Sequence, residues 1–240
     1  MKQLANILFI DIETASVAAT YHELSAGMQE QWAKKVQAFS HRSGADISPN
    51  DMYKEKAAIF AEFGRVVCIG IGCYITEGDT TKFVMKVISD MDEKQLLQKF
   101  LESLYRFCEQ HKQVHFCGHN IKEFDLPYLC RRLLIHGMKL PHLLDLSGVK
   151  PWDNPHIDTL ELWRFGDYKH YISLALLSEI LSIPSPKDDM DGSQVSAVFW
   201  EEKDIRRIGT YCLKDVYTTA QVFLKLKSMP PINAQAEYIE

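Results

Sequence analysis

The sequence has no apolar run long enough to cross a membrane. Its longest, VVCIGIGCYI at 66–75, has ten residues, about half of the roughly 20 that a spanning helix needs. Asp11 interrupts the apolar stretch near the N-terminus before it reaches the length typical of a signal peptide. We therefore expect a soluble, cytoplasmic protein without membrane contact.

Paired cysteines and a surplus of basic residues are also missing. None of the six cysteines lies in a CxxC pair, and most occur in apolar segments, where a free cysteine acts as a small hydrophobic residue. Lysines and arginines number 27 against 32 aspartates and glutamates, a net charge of −5. This balance argues against binding nucleic acid by bulk electrostatic attraction. It leaves a local basic groove or a metal-mediated contact open.

The pattern of apolar residues predicts a mixed β-sheet with helices on both faces. A polar insertion with two helical halves is expected at about 14–62, and residues 187–198 are expected to form an acidic loop. Strands are predicted at 5–11, 64–75, 82–88 and 113–120, an edge strand running into a helical turn at 154–163, and helices at 91–111, 125–137, 171–183 and 201–227.

Two carboxylates follow the apolar start of the first strand. Asp11 and Glu13 are two residues apart, so in a strand their side chains project from the same face, with Cα atoms roughly 6 to 7 Å apart. Like charges at the end of a core strand need a compensating partner. A cation held by oxygen ligands would provide one.

The last predicted helix places a third carboxylate among apolar residues. At 100° per residue, Asp215 lies at the centre of a stripe that includes Ile208, Cys212 and Val222. A core-facing aspartate is costly unless a cation or hydrogen-bond donors meet it. Tyr211 is four residues earlier, so a phenol and a carboxylate share this face one turn apart.

Asp125 has two possible roles. With Pro127 two positions later, it is a good candidate for the N-cap of the helix at 125–137. It also follows the strand at 113–120 by only a few residues, from where its carboxylate could hold a hydrated cation.

Taken in order, Asp11-x-Glu13, Asn120-Ile-Lys-Glu-Phe124-Asp125 and Tyr211-Cys-Leu-Lys-Asp215 resemble the three exonuclease motifs of the DEDD superfamily. The resemblance is to its tyrosine-containing branch, typified by the proofreading domains of family B DNA polymerases and including stand-alone bacterial exonucleases. In the sister branch a histidine lies five residues before the last aspartate, where this chain has Thr210. The resemblance implies a ribonuclease H-like fold, with residues 1–240 as a single exonuclease domain.

The resemblance also implies the chemistry and the residues that perform it. Two Mg²⁺ or Mn²⁺ ions would be held by Asp11, Glu13, Asp125 and Asp215, and Tyr211 would position the attacking water. Thr14, Asn120 and Phe124 would contact the terminal nucleotide. The implied function is 3′-to-5′ hydrolysis of single-stranded or frayed DNA ends, with release of nucleoside 5′-monophosphates.

Other functions remain open at this point. The motifs act on the backbone and would also serve a 3′-to-5′ exoribonuclease, although we favour DNA over RNA. A non-catalytic nucleic-acid-binding module on the same fold is a further alternative. Because 240 residues leave no room for a polymerase domain, any proofreading or DNA repair role is expected in trans, with a polymerase or repair proteins as partners.

Three further groups of residues have competing interpretations. A zinc site is suggested by the crowding of Cys108, His111, His115, Cys117 and His119, but no cysteine pair has the usual ligand spacing. Basic residues at 34–35, 54–56 and 131–132 could line a strand-binding groove, or form solvated helix faces. The aromatic residues of the insertion could stack on bases or pack in the core; they are Trp32, Phe39, Tyr53, Phe60 and Phe63.

Overall fold

The computed structural model describes residues 4–184, 190–232 and 237–238. Its centre is a six-stranded sheet in the order β5-β4-β1-β2-β3-β6. The strands are β1 (Ile7–Ser16), β2 (Gly64–Glu77), β3 (Thr80–Ser89), β4 (His115–Gly118), β5 (Ile157–Asp158) and β6 (Glu237–Tyr238). The β1-β2 and β2-β3 pairs are antiparallel, whereas β4 pairs parallel with β1 and β5, and β6 pairs parallel with β3. The predicted mixed sheet is confirmed.

Helices cover both faces of this sheet. They are α1 (Ala26–Ser43), α2 (Pro49–Lys56), α3 (Glu93–Gln110), α4 (Asp125–Ile135), α5 (Thr159–Arg164), α6 (Leu174–Ile180), α7 (Val195–Ala197) and α8 (Ile205–Leu226). Alternate residues of β1 reach opposite cores, because side chains of a strand alternate between faces. Leu8 and Ile10 pack in the core with α3 and α4, and Phe9 packs in the core with α8. None of the described helices has both the length and the apolar character to cross a membrane.

Two glycines of β2 allow α8 to pack closely on the sheet. A Cβ atom at Gly70 would lie 2.8 Å from Val216 and 2.9 Å from the Cys212 sulfur. At Gly72 it would lie 3.2 Å from Val216 of α8 and 2.6 Å from the Phe83 ring of β3. The CIGIG stretch at 68–72 therefore sets how near the residues of α8 come to the middle of β1, where Asp11 pairs with Gly70.

The insertion forms its own small core. β1 continues to Ser16, so the first three residues of the predicted insertion belong to the strand, and α1 and α2 follow. Trp32, Tyr53 and Phe63 are buried against one another, and the Trp32 indole donates to the carbonyl of Pro49 at 2.8 Å. Packing therefore accounts for these rings, and they are not available to stack on bases.

The segment before α8 differs from the predicted loop. Residues 185–189 lie outside the described chain, but Gly192–Gln194, α7 and Val198–Glu202 form successive helical turns. Asp191 starts them, because its side chain accepts from Ser193 N–H while the Gln194 side chain accepts from Asp191 N–H. The acidic loop prediction is wrong here, since the aspartate caps a helical turn.

Candidate active site

The middle of β1 carries the first two carboxylates of the site. Asp11 is partly accessible and Glu13 is buried. Ligand atoms of Asp11, Glu13 and Cys212 lie within 4.8 Å of one another. The pairing of β1 with β2 shifts register between Glu13 and Thr14, an irregularity that re-aims side chains at a strand end.

Asp125 reaches the same strand from α4. Its Oδ1 accepts a hydrogen bond from Ile12 N–H at 3.0 Å, between the two carboxylates of β1. Strand β4 pairs with β1 only as far as Phe9, so Asp125 takes over as hydrogen-bond partner beyond that point. The N-cap residue of α4 is Phe124, and Asp125 is the first helical residue. The N-cap interpretation of Asp125 is therefore wrong.

Helix α8 adds Tyr211, Cys212 and Asp215. The Tyr211 hydroxyl hydrogen-bonds to the Asp215 carboxylate. The Cys212 thiol donates to Asp11, at 3.4 Å from its carbonyl oxygen and 3.5 Å from Oδ2. The charge of Asp215 is close enough to Asp11 and Glu13 to raise the pKa of both. The structure thus brings the four predicted carboxylates and the tyrosine together.

The electrostatics of the site disfavour several negative charges at once. Burial raises the pKa of Asp11 well above its usual range, and Asp125 and Asp215 raise it further. Burial also raises the pKa of Glu13, and the charges of Asp11 and Asp215 raise it further. Burial raises the pKa of Asp125 to about 7, although the N–H groups of Ile12 and Asp125 itself favour ionisation. Without a cation, the site therefore retains protons near neutral pH.

Tyr211 stays protonated across the physiological range. Burial raises the pKa of its phenol, and the charges of Asp215, Glu13 and Asp11 raise it further. A phenol in this position donates a hydrogen bond and cannot act as a base near neutral pH.

The three predicted substrate-contacting residues lie beside these groups in the chain. Thr14 is buried, and its hydroxyl hydrogen-bonds with Tyr128 on α4. Asn120 has a left-handed backbone, with φ 66°, and its N–H donates to Asp158 at 2.9 Å. The Phe124 ring packs at 5.4 Å from that of Tyr128. Thr14 is thus the least accessible of the three.

Asp158 is a structural residue that sequence reasoning missed. Its carboxylate accepts from the N–H groups of Asn120, Lys122 and Leu160, at 2.9 to 3.1 Å. It therefore caps α5 and also holds the loop that leads to Asp125. The DTLEL stretch was a possible signal, since an aspartate before a helical turn is a typical N-cap.

A second missed feature is a buried ion pair behind the site. Glu93 accepts from Arg132 Nε at 2.9 Å and from Val66 N–H at 2.7 Å. His136 Nε2 lies 2.8 Å from the same carboxylate, and Arg132 also donates to the carbonyl of Ala61. Arg132 is therefore part of the core, neither a groove residue nor a solvated one. Its pairing fixes α4, which carries Asp125, to α3 and β2.

The residues of the suggested zinc site do not converge. Among the described residues, the one group of three potential ligands is Asp11, Glu13 and Cys212. His115 contacts the carbonyl of Pro155, and His119 contacts Thr159 and the carbonyl of Ile172. These histidines therefore make structural hydrogen bonds.

Comparison with known proteins agrees with this geometry. Residues 59–240 match a family described as "Predicted 3'-5' exonuclease related to the exonuclease domain of PolB". The matched region contains Asp125, Tyr211 and Asp215, while Asp11 and Glu13 precede it. A search of curated proteins finds no match.

The fold is similar to that of a solved polymerase. The family B DNA polymerase from the hyperthermophilic archaeon Pyrobaculum calidifontis matches 91% of this chain, with a TM-score of 0.56 and 16% identity. This chain corresponds to 24% of that polymerase. The mixed sheet with flanking helices is accordingly a ribonuclease H-like fold. The chain belongs to the family of predicted 3′-5′ exonucleases related to the exonuclease domain of PolB.

Proposed function

We propose that this protein is a metal-dependent 3′-to-5′ exonuclease that hydrolyses phosphodiester bonds at single-stranded or frayed DNA ends and releases nucleoside 5′-monophosphates. The observation that carries the proposal is the meeting of Asp11, Glu13, Asp125 and Asp215 at the middle of β1. These residues come from three segments far apart in sequence. A cluster of acids this enclosed is costly to maintain for stability alone.

The donor set of the site fits divalent metal ions. Carboxylates are hard oxygen donors, which suit Mg²⁺ and Mn²⁺. Among the described residues, nearby carboxylates are causes of the raised pKa values of Asp11, Glu13 and Asp125, and no lysine or arginine is. Asp11, Glu13, Asp125 and Asp215 would hold the two ions. When bound, two such ions stabilise charge on the attacked phosphate and on the leaving oxygen.

The residues of the chain then have distinct tasks. Tyr211 remains protonated and hydrogen-bonds to Asp215. Its hydroxyl would turn from Asp215 to the attacking water and orient it through a hydrogen bond, without removing a proton. Asp125 keeps β1 in place through the hydrogen bond from Ile12 N–H to its Oδ1, and its second oxygen would serve as the metal ligand. Asn120 and Phe124 lie on the loop held by Asp158, from which they contact the terminal nucleotide.

The test is cleavage of 5′- and 3′-labelled DNA and RNA strands with Mg²⁺, Mn²⁺ or EDTA. We expect stepwise shortening from the 3′ end with either metal, and none in EDTA or in the Asp215→Asn variant. The matched control is Asp46→Asn, which removes an exposed carboxylate from the loop after α1 and should behave as wild type.

Two results would replace the proposal. Faster cleavage of RNA than of DNA would favour the exoribonuclease alternative. Strand binding without cleavage under any metal condition would favour a non-catalytic module. A partnership in trans with a polymerase or repair protein remains a prediction, which a pull-down with purified candidate partners would test.

A further inference from the structure

The loops on either side of β5 expose several aromatic side chains. Trp152 is 76% exposed and Tyr168 is 85% exposed. Phe165 and Tyr171 nearby are also largely exposed. Among the described residues, neither Trp152 nor Tyr168 stacks on another ring. Large exposed aromatics that are grouped in this way mark interaction surfaces.

Trp152 and Tyr168 line the same cavity, which has a volume of about 720 Å³. The cavity is within the usual size of ligand sites. Its other lining residues include Lys122, Glu161 and Arg164. We call this space the aromatic cavity.

The charges inside the aromatic cavity are already paired. Lys122 Nζ lies 2.7 Å from Glu161, and the Arg164 guanidinium lies 3.3 Å from Glu123. Arg164 Nε also donates to the carbonyl of His170 at 2.8 Å. A phosphate would have to displace an acid from either cation. The cavity therefore offers aromatic faces and neutral polar surface, which suit a nucleobase better than a phosphate.

Unpaired basic residues lie next to the two aromatic residues instead. Lys150 Nζ is 5.5 Å from the Trp152 ring, and Lys169 follows Tyr168. Within the described part of the chain neither lysine makes an ion pair. Aromatic faces flanked by lysines are the usual means of holding a single strand without reading its sequence.

The same ion pairs connect the cavity to the candidate active site. Lys122 and Glu123 belong to the loop between Asn120 and Phe124, directly before Asp125. A strand whose last nucleotide lies at Asn120 and Phe124 can therefore continue over this loop toward α5.

We propose that the aromatic cavity binds a base of single-stranded nucleic acid upstream of the 3′ end, stacked on Trp152 and Tyr168. This inference rests on the proposed exonuclease function and adds a second contact with the same strand. The chain has a net charge of −5, so its grip on a strand has to come from stacking more than from counterion release. A base site of this kind accepts both DNA and RNA, because every base has an aromatic face.

The test measures the affinity for a nucleic-acid strand by fluorescence anisotropy in the presence of Ca²⁺. This ion binds to oxygen ligands and is used in place of Mg²⁺ so that binding is measured without cleavage. The probes are labelled strands of about fifteen nucleotides in four forms: DNA, RNA, and each with abasic sugars in place of its bases. We expect Trp152→Ala and Tyr168→Ala each to raise Kd for base-bearing strands about five-fold or more. Trp152→Phe should restore most of the affinity. Abasic strands should bind weakly to every variant.

A control and a spectroscopic signature accompany the titrations. Tyr105→Ala removes a 48% exposed tyrosine from α3 on the other face of the sheet and should leave Kd unchanged. The tryptophan fluorescence of wild type minus that of Trp152→Phe is the emission of Trp152. Binding of a strand should quench this emission. Under turnover, the advantage of a long strand over a dinucleotide in kcat/KM should fall about five-fold or more in Trp152→Ala.

The possible failures can be told apart. Equal affinity for base-bearing and abasic strands, or an unchanged Kd in both alanine variants, would overturn the aromatic cavity as a base site and leave it to a protein partner. Base-dependent binding without cleavage in any metal would support the cavity and overturn the proposed exonuclease function.

Discussion

Replacing Asp125 by asparagine should stabilise the metal-free protein while removing its activity. The carboxylate is buried, and its Oδ1 accepts from Ile12 N–H at 3.0 Å. Asparagine keeps an oxygen in that position, so β1 keeps its hydrogen bond. What the substitution removes is the buried negative charge.

The size of the effect follows from the pKa of Asp125. Burial raises the pKa from an ordinary 3.8 to about 7, roughly three units, which corresponds to about 4 kcal/mol. Because the folded pKa is the higher one, the folded state binds the proton more tightly, and wild type loses stability as pH rises from about 4 to 7. Asp125→Asn should lack this loss and gain up to about 4 kcal/mol at pH 8. For a chain of this length that is roughly 8 to 16 °C in Tm.

Thermal unfolding in EDTA between pH 4 and 8 measures this difference. The control variant Asp125→Leu removes the charge but also the acceptor of Ile12 N–H, which costs about 1 to 3 kcal/mol, so its gain should be smaller than that of asparagine. The cleavage rate of Asp125→Asn should be lower than that of wild type by about a hundred-fold or more. Asparagine is a weaker metal ligand than aspartate, and a bound metal stabilises the transition state by several kcal/mol. A Tm at pH 8 equal to that of wild type would refute the reasoning about the buried charge.

Three further predictions concern the metal, the tyrosine and the ion pair. Millimolar Mn²⁺ should raise the Tm of wild type and do so much less in Asp215→Asn; equal shifts in calorimetry would place the bound metal elsewhere. Tyr211→Phe should lower kcat up to about a hundred-fold with little change in KM, because the attacking water loses its orienting donor; an unchanged kcat would remove this role. Glu93→Gln should lower the free energy of unfolding in urea by about 3 to 5 kcal/mol, because Arg132 is left as a buried unpaired cation; a loss below 1 kcal/mol would contradict this.

The sequence by itself was sufficient for most of the elements and for the position of the acids along the chain, but it missed the helical turns at 192–202. Alternation of apolar residues in β1 and the helical stripe around Asp215 are local patterns with fixed periods, so they predict which face is buried before any packing is known. The strand at 82–88 and the helix at 91–111 were confirmed with shifts of one or two residues at their ends. The three motifs and their order along the chain could likewise be recognised from the sequence alone.

Roles that depend on contacts between distant segments were decided only by the tertiary structure. Asp125 could have been an N-cap, yet its carboxylate accepts a hydrogen bond from the N–H of Ile12, 113 residues earlier in the chain. Arg132 looked like a surface residue, yet it pairs with Glu93. The sequence left open whether the aromatic residues of the insertion stack on bases or pack in the core. In the structure Trp32, Tyr53 and Phe63 are buried, whereas Trp152 and Tyr168 near β5 are exposed. Local sequence determines which face of a helix or strand is apolar. Which partner a buried polar side chain finds in a distant segment depends on how the elements pack together.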